Sequence, residues 1–536
     1  MSTNAQSVNT LADLMALAAP SGGVETVTTL GYNAIGDGGG NTYYYNASSN
    51  AAGLRGLIIV PSSSPPTGRW FAVDDGLPLN LRRFGAVGDG MADDTPAVAA
   101  WSAGMQPNVW SSNLHAGYVP QGGYLTSPFA IGTNTTGSES LSPYKISGDG
   151  FHSQFIAKIG SSGTFCEMTN IAGVIFKDIL FDLKNISGLV GIDTSWNIGA
   201  GPSLGNLYEN IYINNASCPK AWIAENNNDA AFRDCTIENS SGYSLYLEAS
   251  GGNLSIDNMR STGVIFIDTQ NAWIGKGGYF VGVEIGGGSY NTITFDGVQI
   301  YASTAIVDAS GNALCVKNSN SAGIRLSFKG SQFNGLSTAG AVFGNSTTSA
   351  WRTATLDGCS QISGSGSFPL LSPNINGAYG SGQPVVFTVV NSNLSNAASV
   401  SPVFLNLQNC SFGGTQTNAE TVTPTYLNSW SSAGMPTGFA GLSASRNGTQ
   451  VTLHGSLTGG TNADGTAVFS LPASWRPVPF NIAGVSAGFD VSGVAKPFSY
   501  LISYAGAGGT LTIDGAAANS LVRLSFDGIT FGSGTN

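Results

Sequence analysis

A short pattern that returns along residues 188–310 restricts the possible folds of this chain more than any other feature. Two buried-type positions are separated by one residue and are followed by an acid. The six acids of this pattern are Asp193, Glu225, Glu248, Asp268, Glu284 and Asp308. Self-similarity at intervals of roughly 20 to 30 residues is typical of solenoid proteins. The chain is therefore predicted to stack one structural unit many times.

A second pattern interleaves with the first and reads apolar-x-(Asp/Asn/Gly)-x-x-apolar. It begins at Phe176, Tyr208, Phe232, Phe295, Phe328 and Leu407. Both patterns are short, rich in β-branched and aromatic residues and bounded by Gly, Asn and Ser, so they indicate strands rather than helices. We predict a parallel β-helix. The residues interpreted as its turn formers are Asp178, Asn210, Asp234 and Asn258.

Stacking of the repeats has a chemical consequence for the acids. Neighbouring rungs lie ~4.8 Å apart, and successive side chains face opposite ways. If Glu248 points outward, the repeat predicts that Asp268, Glu284 and the other acids follow it in one column. Tyr246 and Phe266 would stand beside that column on the same outer face.

Composition restricts the class of partner. The 536 residues are too many for one compact core, and 74 glycines with only 10% charged residues suit a turn-rich β protein. A net charge of -11 argues against a nucleic-acid partner, which would need a basic face. The three histidines are far apart and the six cysteines form no Cys-x-x-Cys pair. Buried free thiols are expected, with no metal and no cofactor.

The sequence also lacks a predicted membrane segment. No apolar run reaches the ~18 residues that a spanning helix needs. The apolar stretch at residues 11–19 is interrupted by Asp13 and follows no Lys or Arg, so a short amphipathic helix over residues 10–19 is favoured over a signal peptide.

Residues 1–79 are predicted to form a small αβ module. A helix is then predicted to begin with Thr95 as its N-cap and Pro96 in its first helical position. Asp89, Asp93 and Asp94 precede it. We interpret these acids as turn and cap residues rather than as a Ca²⁺ site, because their spacing does not follow an EF-hand loop.

Residues 84–95, which read Phe-Gly-Ala-Val-Gly-Asp-Gly-Met-Ala-Asp-Asp-Thr, resemble the motif that caps the first rung in the pectate-lyase-like superfamily. Residues 118–124 look like the strand that follows it. Residues 31–40 with 68–70 are similar to a module that precedes this motif in bacteriophage tailspikes. The resemblance implies a right-handed β-helix over residues 80–428, with the motif and cap helix at its start. It also implies a homotrimer in the virion tail, attached to the tail or baseplate through the N-terminus.

The C-terminal part has a different pattern. Residues 415–436 are predicted to be a linker, and from residue 437 the pattern becomes alternating antiparallel strands with Gly turns. The domain over residues 429–536 is predicted to be a β-sandwich. Residues 451–460 and 471–477 resemble a C-terminal β-sandwich of phage tail fibres. That resemblance implies a role in trimerisation or in binding carbohydrate.

Paired carboxyls on neighbouring rungs suit glycoside hydrolysis. This reaction uses two carboxyl groups about 5 Å apart in retaining enzymes and about 6.5–9.5 Å apart in inverting ones. Glu248 and Asp268 are the first predicted catalytic pair, flanked by Glu225 and Glu284. An acid that closes a strand often bonds only turn amides, so a structural role for each single acid stays open.

Five further residues are candidates for holding a sugar. Tyr246 and Phe266 are expected to offer an apolar platform, and Arg260 to hold an anionic sugar or steady a carboxylate. Trp196 and Trp273 lie in nearby segments. In a trimer, the site could also be built between subunits.

These features favour a tailspike that binds and depolymerises a bacterial capsular or exopolysaccharide by hydrolysis. Two alternatives remain: a lyase that acts on a uronic-acid glycan, and a receptor spike that grips glycan without cutting it. A secreted cell-wall glycanase is less favoured, because no signal peptide is predicted and both ends resemble phage proteins.

Overall fold

The computed structural model describes residues 5–18, 20, 26–106, 116–132, 144–196, 205–225, 229–239, 241–286, 291–308, 310–319, 324–335, 340–345, 351–362, 370–371, 385–394, 403–408, 411–412, 420–422, 424–433, 440–447, 450–460, 465–472, 475, 482–492, 494–503, 510–514, 521–526 and 529–532.

The N-terminal part of the chain is a mixed sheet with one helix. The five strands are Ala5–Val8, Thr26–Thr29, Thr42–Asn46, Ile58–Ile59 and Arg69–Ala72. The helix Leu11–Ala16 begins with a capping box in which Thr10 and Asp13 bond each other's backbone amides. This confirms the predicted short helix, which ends three residues earlier than expected.

The next part is a right-handed parallel β-helix, whose strands stack in register into three faces. Face 1 comprises Phe129–Ala130, Thr164–Glu167, Val190–Asp193, Lys220–Ile223, the first halves of Tyr243–Asp257 and Val264–Gly275, then Val283–Ile285, Ala313–Asn318 and Gly340–Asn345. The strand Ser303–Val307 joins its edge as an antiparallel hairpin.

Faces 2 and 3 complete each rung. Face 2 comprises Leu79–Asn80, Ala116–Val119, Lys145–Gly148, the first halves of Ile175–Asp182 and Leu207–Ala216, Ala231–Arg233, the second halves of Tyr243–Asp257 and Val264–Gly275, Asn291–Asp296, Ile324–Lys329, Trp351–Asp357, Val385–Val390 and Val403–Gln408. Face 3 comprises Asp89–Asp93, Gly122–Thr126, Ser153–Ala157, the second halves of Ile175–Asp182 and Leu207–Ala216, Thr236–Asn239, Arg260–Ser261, Tyr279–Val281, Gln299–Tyr301, Gln332–Asn334, Ser360–Ile362, Asn393–Leu394 and Ser411–Phe412.

The second sequence pattern marks the corner between faces 2 and 3. Asp178, Asn210, Asp234 and Asn258 all have φ between 50° and 62°, the left-handed region that Asn and Asp tolerate better than most residues. Their side chains also bond from rung to rung, since the amide of Asn210 donates to Asp178 at 2.8 Å and that of Asn258 to Asp234 at 2.7 Å. The interpretation of these four residues as turn formers is confirmed.

The β-helix core is apolar and contains the predicted free thiols. Cys235 and Cys359 are buried at similar rung positions, each with its sulfur near a carbonyl of the preceding rung. Cys410 lies outside the described residues.

A helix, Thr95–Gly104, caps the first rungs. Asp94, not Thr95, is its N-cap residue, one position earlier than predicted, because Thr95 already has helical geometry. The Asp94 carboxylate accepts from the amides of Val87 and Gly88 at 2.7 and 3.1 Å. Asp93 accepts from Thr95 and pairs with Lys158 at 2.6 Å. These contacts agree with turn roles for Asp93 and Asp94, and Asp94 occupies the N-cap position without a side-chain hydrogen bond to the helix amides.

The C-terminal part packs two antiparallel sheets around a separate apolar core. One sheet comprises Glu420–Val422, Ser443–Asn447, Gln450–His454 and Ile529–Gly532; the other comprises Thr425–Tyr426, Ser456–Thr458, Ala467–Ser470, Ile482–Asp490, Ala495–Ile502, Thr510–Asp514 and Leu521–Ser525. Part of the predicted linker at 415–436 therefore contributes strands to the sandwich. The domain boundaries at 79/80 and 428/429 stay predictions, as does the homotrimer. Within the described residues, no helix has the length and apolar character to cross a membrane.

Candidate active site on face 1

Three acids of the first pattern lie on successive rungs of face 1: Glu225, Glu248 and Asp268. The register pairs Ile223 with Tyr246 and Tyr246 with Phe266, and each acid lies two residues further along the chain. All three side chains are partly exposed. The predicted pair therefore lies on adjacent rungs, and Glu225 flanks it on the N-terminal side.

The other acids depart from the predicted column. Glu284 pairs with Phe266 and Asp193 pairs with Ile223, so both lie two residues out of register. Glu284 is displaced because its pattern spans a corner of the β-helix. Gly282, at φ 88°, turns the chain from face 3 to face 1, so Val281 and Glu284 lie in different strands. Asp308 instead closes a hairpin bend, where it accepts from the amides of residues 310 and 312.

Glu284 is held by several donors and does not flank the pair as an open carboxylate. It is 7% exposed. The hydroxyls of Tyr243 and Ser319 donate to its two oxygens at 2.7 and 2.5 Å, and Nζ of Lys317 lies 3.4 Å away. Burial and then the bond to Glu284 raise the pKa of the Tyr243 hydroxyl above its usual value. These contacts indicate a structural role for Glu284, in contrast to the predicted catalytic one.

Tyr246 and Phe266 do not form the predicted platform of open ring faces. Their rings stack on each other, with centroids 4.4 Å apart and planes at 9°. The ammonium of Lys220 lies 3.3 Å from the centroid of Tyr246. Beside Phe266, a Cβ on Gly286 would clash with the ring, so glycine is needed there. Aromatic residues on adjacent rungs cover each other in this way, and the stack presents ring edges and one hydroxyl.

Lys220 and the Tyr246 hydroxyl also interact with two of the acids. Nζ of Lys220 pairs with Glu225 at 3.2 Å. Burial and then a hydrogen bond from its hydroxyl to Glu248 raise the pKa of Tyr246. Tyr246 therefore remains a protonated donor to Glu248 at neutral pH, and the charge of Glu225 is partly balanced by a cation.

The remaining predicted sugar contacts do not join this site. Arg260 pairs with Thr236 and Tyr279 and so lies on face 3. Trp273 lies on face 2, and Trp196 is only 4% exposed. The chain between Glu248 and Asp268 makes a full turn of the helix, which is why residues close to them in sequence lie on other faces.

Sequence reasoning missed Lys220, Tyr243 and Lys317. Strict alternation places Tyr243 on the same side as the buried Leu245, but the pairing with the next strand shifts register between these two residues. Tyr243 is therefore partly exposed. Lys317 could have been found from the sequence, because it follows Val316 in the same way that Glu284 follows Val283.

No group of three or more potential metal ligands occurs within the described ranges. The arrangement can place two carboxyls across one glycosidic bond, because adjacent rungs are ~4.8 Å apart and alternate rungs ~9.6 Å apart.

Comparison with known proteins places the fold. No family model matches the chain, and no curated protein matches it either. The full-length tailspike protein 2 of a bacteriophage of Escherichia coli O157:H7 aligns over 97% of this chain and 77% of its own, at 13% identity and a TM-score of 0.53. This likeness shows that the chain has the parallel β-helix fold of a phage tailspike.

Two other tailspikes align over nearly the whole chain. The tailspike gp49 from Acinetobacter baumannii bacteriophage Fri1, described as a capsular polysaccharide depolymerase, covers 98% of this chain and 100% of its own at 11% identity and a TM-score of 0.44. The tailspike of Acinetobacter phage vB_ApiP_P1 covers 99% of both chains at 12% identity and a TM-score of 0.45.

Proposed function

We propose that this chain is a phage tailspike that binds a bacterial surface polysaccharide and hydrolyses its glycosidic bonds on face 1. The observation that supports the proposal best is the adjacent-rung register of Glu248 and Asp268, both partly exposed. One carboxyl donates a proton to the leaving oxygen and the other acts as base or nucleophile. Tyr246, which donates to Glu248, positions that carboxyl.

The test is incubation of the purified protein with a panel of bacterial capsular and exopolysaccharides. Hydrolysis releases reducing ends and shortens the polymer without creating an unsaturated product. Chain length is measured by size-exclusion chromatography, and product ends by mass spectrometry. Unchanged chain length across the panel would favour a receptor spike that does not cut.

A second candidate is β-elimination on a uronic-acid glycan, and Lys220 is the observation that favours it. Elimination needs a cation to neutralise the uronate and a base to remove the proton next to it. Lys220 supplies a charge beside Tyr246. The raised pKa of Tyr246 disfavours it as a base, so hydrolysis stays first. New ultraviolet absorbance from an unsaturated product would decide for the lyase.

The partners follow from the same proposal. A tailspike would assemble as a homotrimer and attach to the phage tail through its N-terminal part. Light scattering gives the mass of the assembly in solution, and three times the 54.8 kDa of one chain is expected. A monomeric mass at working concentration would contradict the trimer.

A further inference from the structure

Face 3 carries a polar pocket that the site on face 1 does not use. Its volume is about 200 Å³, and it is lined by Asn185, Asn215, Ala216, Glu238, Asn239 and Thr262. Glu238, Thr262 and the Asn185 amide supply directed donors and acceptors for the hydroxyls of a sugar. The Asn239 amide is not among them, because it already donates to the carbonyls of Cys218 and Tyr243 and accepts from backbone amides.

A bulge creates this pocket. The pairing of Leu207–Ala216 with Thr236–Asn239 shifts register after Ile213, and Asn215 has φ 53° in the extra length. Bulges re-aim side chains at the point where the ladder is interrupted. Here the interruption opens a recess beside Glu238.

Glu238 is held with one oxygen engaged. The Tyr212 hydroxyl donates to its Oε1 at 2.7 Å. Burial and then this bond raise the pKa of Tyr212 to about 12, so the hydroxyl is a fixed donor at neutral pH. Within the described residues, Oε2 of Glu238 has no hydrogen-bond partner, so it is available to a ligand that enters the pocket.

A cation and aromatic rings extend the pocket along the face. Arg260 is exposed, two rungs beyond Tyr212, and its guanidinium makes no ion pair or hydrogen bond with the part of the chain that is described. Phe151 is 46% exposed and packs edge-on against Tyr212 with centroids 5.3 Å apart. Beyond Arg260, Tyr279 and Tyr301 lie with ring centroids 4.9 Å apart.

We propose that face 3 holds a second, non-catalytic glycan-binding site, in which Arg260 binds the carboxylate of a uronic acid residue and Glu238 binds hydroxyls of a neighbouring sugar. Arginine suits a carboxylate because its planar donors match the two oxygens. The rung spacing of ~4.8 Å is close to the length of one sugar unit, so successive sugars meet successive rungs. The proposal rests on the proposed function only in taking the same class of polymer as ligand.

The experiment uses the full chain carrying Glu248→Gln and Asp268→Asn, so that the ligand is not cut at face 1. The probe is a hexasaccharide of alternating glucuronic acid and N-acetylglucosamine, and maltohexaose is the neutral comparison. Isothermal titration calorimetry gives the affinity. Binding of the acidic probe and a loss of at least about tenfold on Arg260→Gln are expected, because a hydrogen bond between charged groups is removed.

The matched control is Arg325→Gln, which replaces an arginine that is also exposed but lies on face 2. It should leave the affinity unchanged, whereas Glu238→Gln should weaken binding less than Arg260→Gln does. Equal affinities for Arg260→Gln and Arg325→Gln would overturn the proposal, as would no binding of the acidic probe. Circular dichroism checks that each variant is folded.

Two further outcomes would also overturn it. If Glu238→Gln in the otherwise unmodified chain abolishes cleavage of short oligosaccharides, face 3 is the catalytic site. If Arg260→Gln alters the mass of the assembly, the face is a subunit contact. Failure of the proposed hydrolysis is seen separately, as unchanged chain length with the unmodified protein, while binding to the doubly substituted chain is still measured.

Discussion

Glu248 and Glu284 end the same sequence pattern and lie on the same face of the β-helix, yet their surroundings are opposite. Glu248 is partly exposed and accepts from Tyr246. Glu284 is almost fully buried, with Tyr243 and Lys317 among its partners. The difference comes from a two-residue offset in register. Register therefore decides whether an acid of this pattern is available to a substrate or is part of the framework.

The strongest test of this comparison is the double replacement Glu248→Gln and Asp268→Asn. Activity on a polysaccharide that the unmodified protein cleaves should fall by a factor of about 10² to 10⁴, the usual contribution of acid–base groups. Stability should change little, because both side chains are partly exposed. Release of reducing ends measures the effect. The control is Glu209→Gln, an acid on face 2, and full activity of the double variant would remove the proposed site.

The converse replacement, Glu284→Ala, should act on stability. It leaves the charge of Lys317, which is 21% exposed, without its partner, and a loss of about 3 kcal/mol in the free energy of unfolding is expected. Urea denaturation measures it. Glu248→Ala is the comparison and should cost only about 1 kcal/mol, the contribution of its hydrogen bond from Tyr246. Equal losses for the two variants would show that their surroundings are not as different as the contacts indicate.

The fold and part of this site could be predicted from sequence because some residues have only one geometric solution. Asp178 and Asn210 recur where each rung needs a left-handed turn, so they mark the corner directly. Glu248 and Asp268 each follow a matching pair of buried apolar residues, which fixes them as neighbours. Alternation does not reveal where a face ends, so it could not locate the corner at Gly282 that displaces Glu284.

The position of Arg260 could not be predicted for the same reason, because alternation does not show on which face a residue lies. Arg260 lies between Glu248 and Asp268 in sequence and is therefore expected to contact a sugar or a carboxylate at their site, whereas the course of the chain around one rung carries it to face 3. The contact between the Lys220 ammonium and the Tyr246 ring also could not be predicted, because the spacing of apolar residues does not show which side chains on neighbouring rungs stack on each other.

Lys220→Gln should have an effect of intermediate size on activity. It removes the cation that pairs with Glu225 and lies over Tyr246, so a loss of roughly tenfold in kcat/KM on an acidic polysaccharide is expected. The loss should be greatest at low salt, because added salt screens the attraction between this partly exposed cation and the polymer. Lys276→Gln is the control, since that lysine is 72% exposed and pairs with Asp257 away from face 1. Equal effects of the two variants would mean that charge at face 1 has no special role.

Tyr246→Phe should give the smallest effect and the most specific one. The hydroxyl that donates to Glu248 has a raised pKa, so its contribution to stability is complete below the ordinary tyrosine value near pH 10 and is lost as pH rises through the folded pKa. A loss of about 1 kcal/mol at pH 8 is expected, shrinking above pH 10. Urea denaturation against pH measures it, and the ultraviolet difference between unmodified protein and variant should show one tyrosine that ionises late.

Two tyrosine controls complete the contrast with Glu284. Tyr44→Phe, at an exposed position outside both clusters, should cost little. Tyr243→Phe should cost more than Tyr246→Phe, because it removes a donor from a carboxylate that water cannot readily reach. The reverse order would mean that Glu248, not Glu284, depends more strongly on its tyrosine, and the division of the acids into a substrate-facing line and a structural one would then fail.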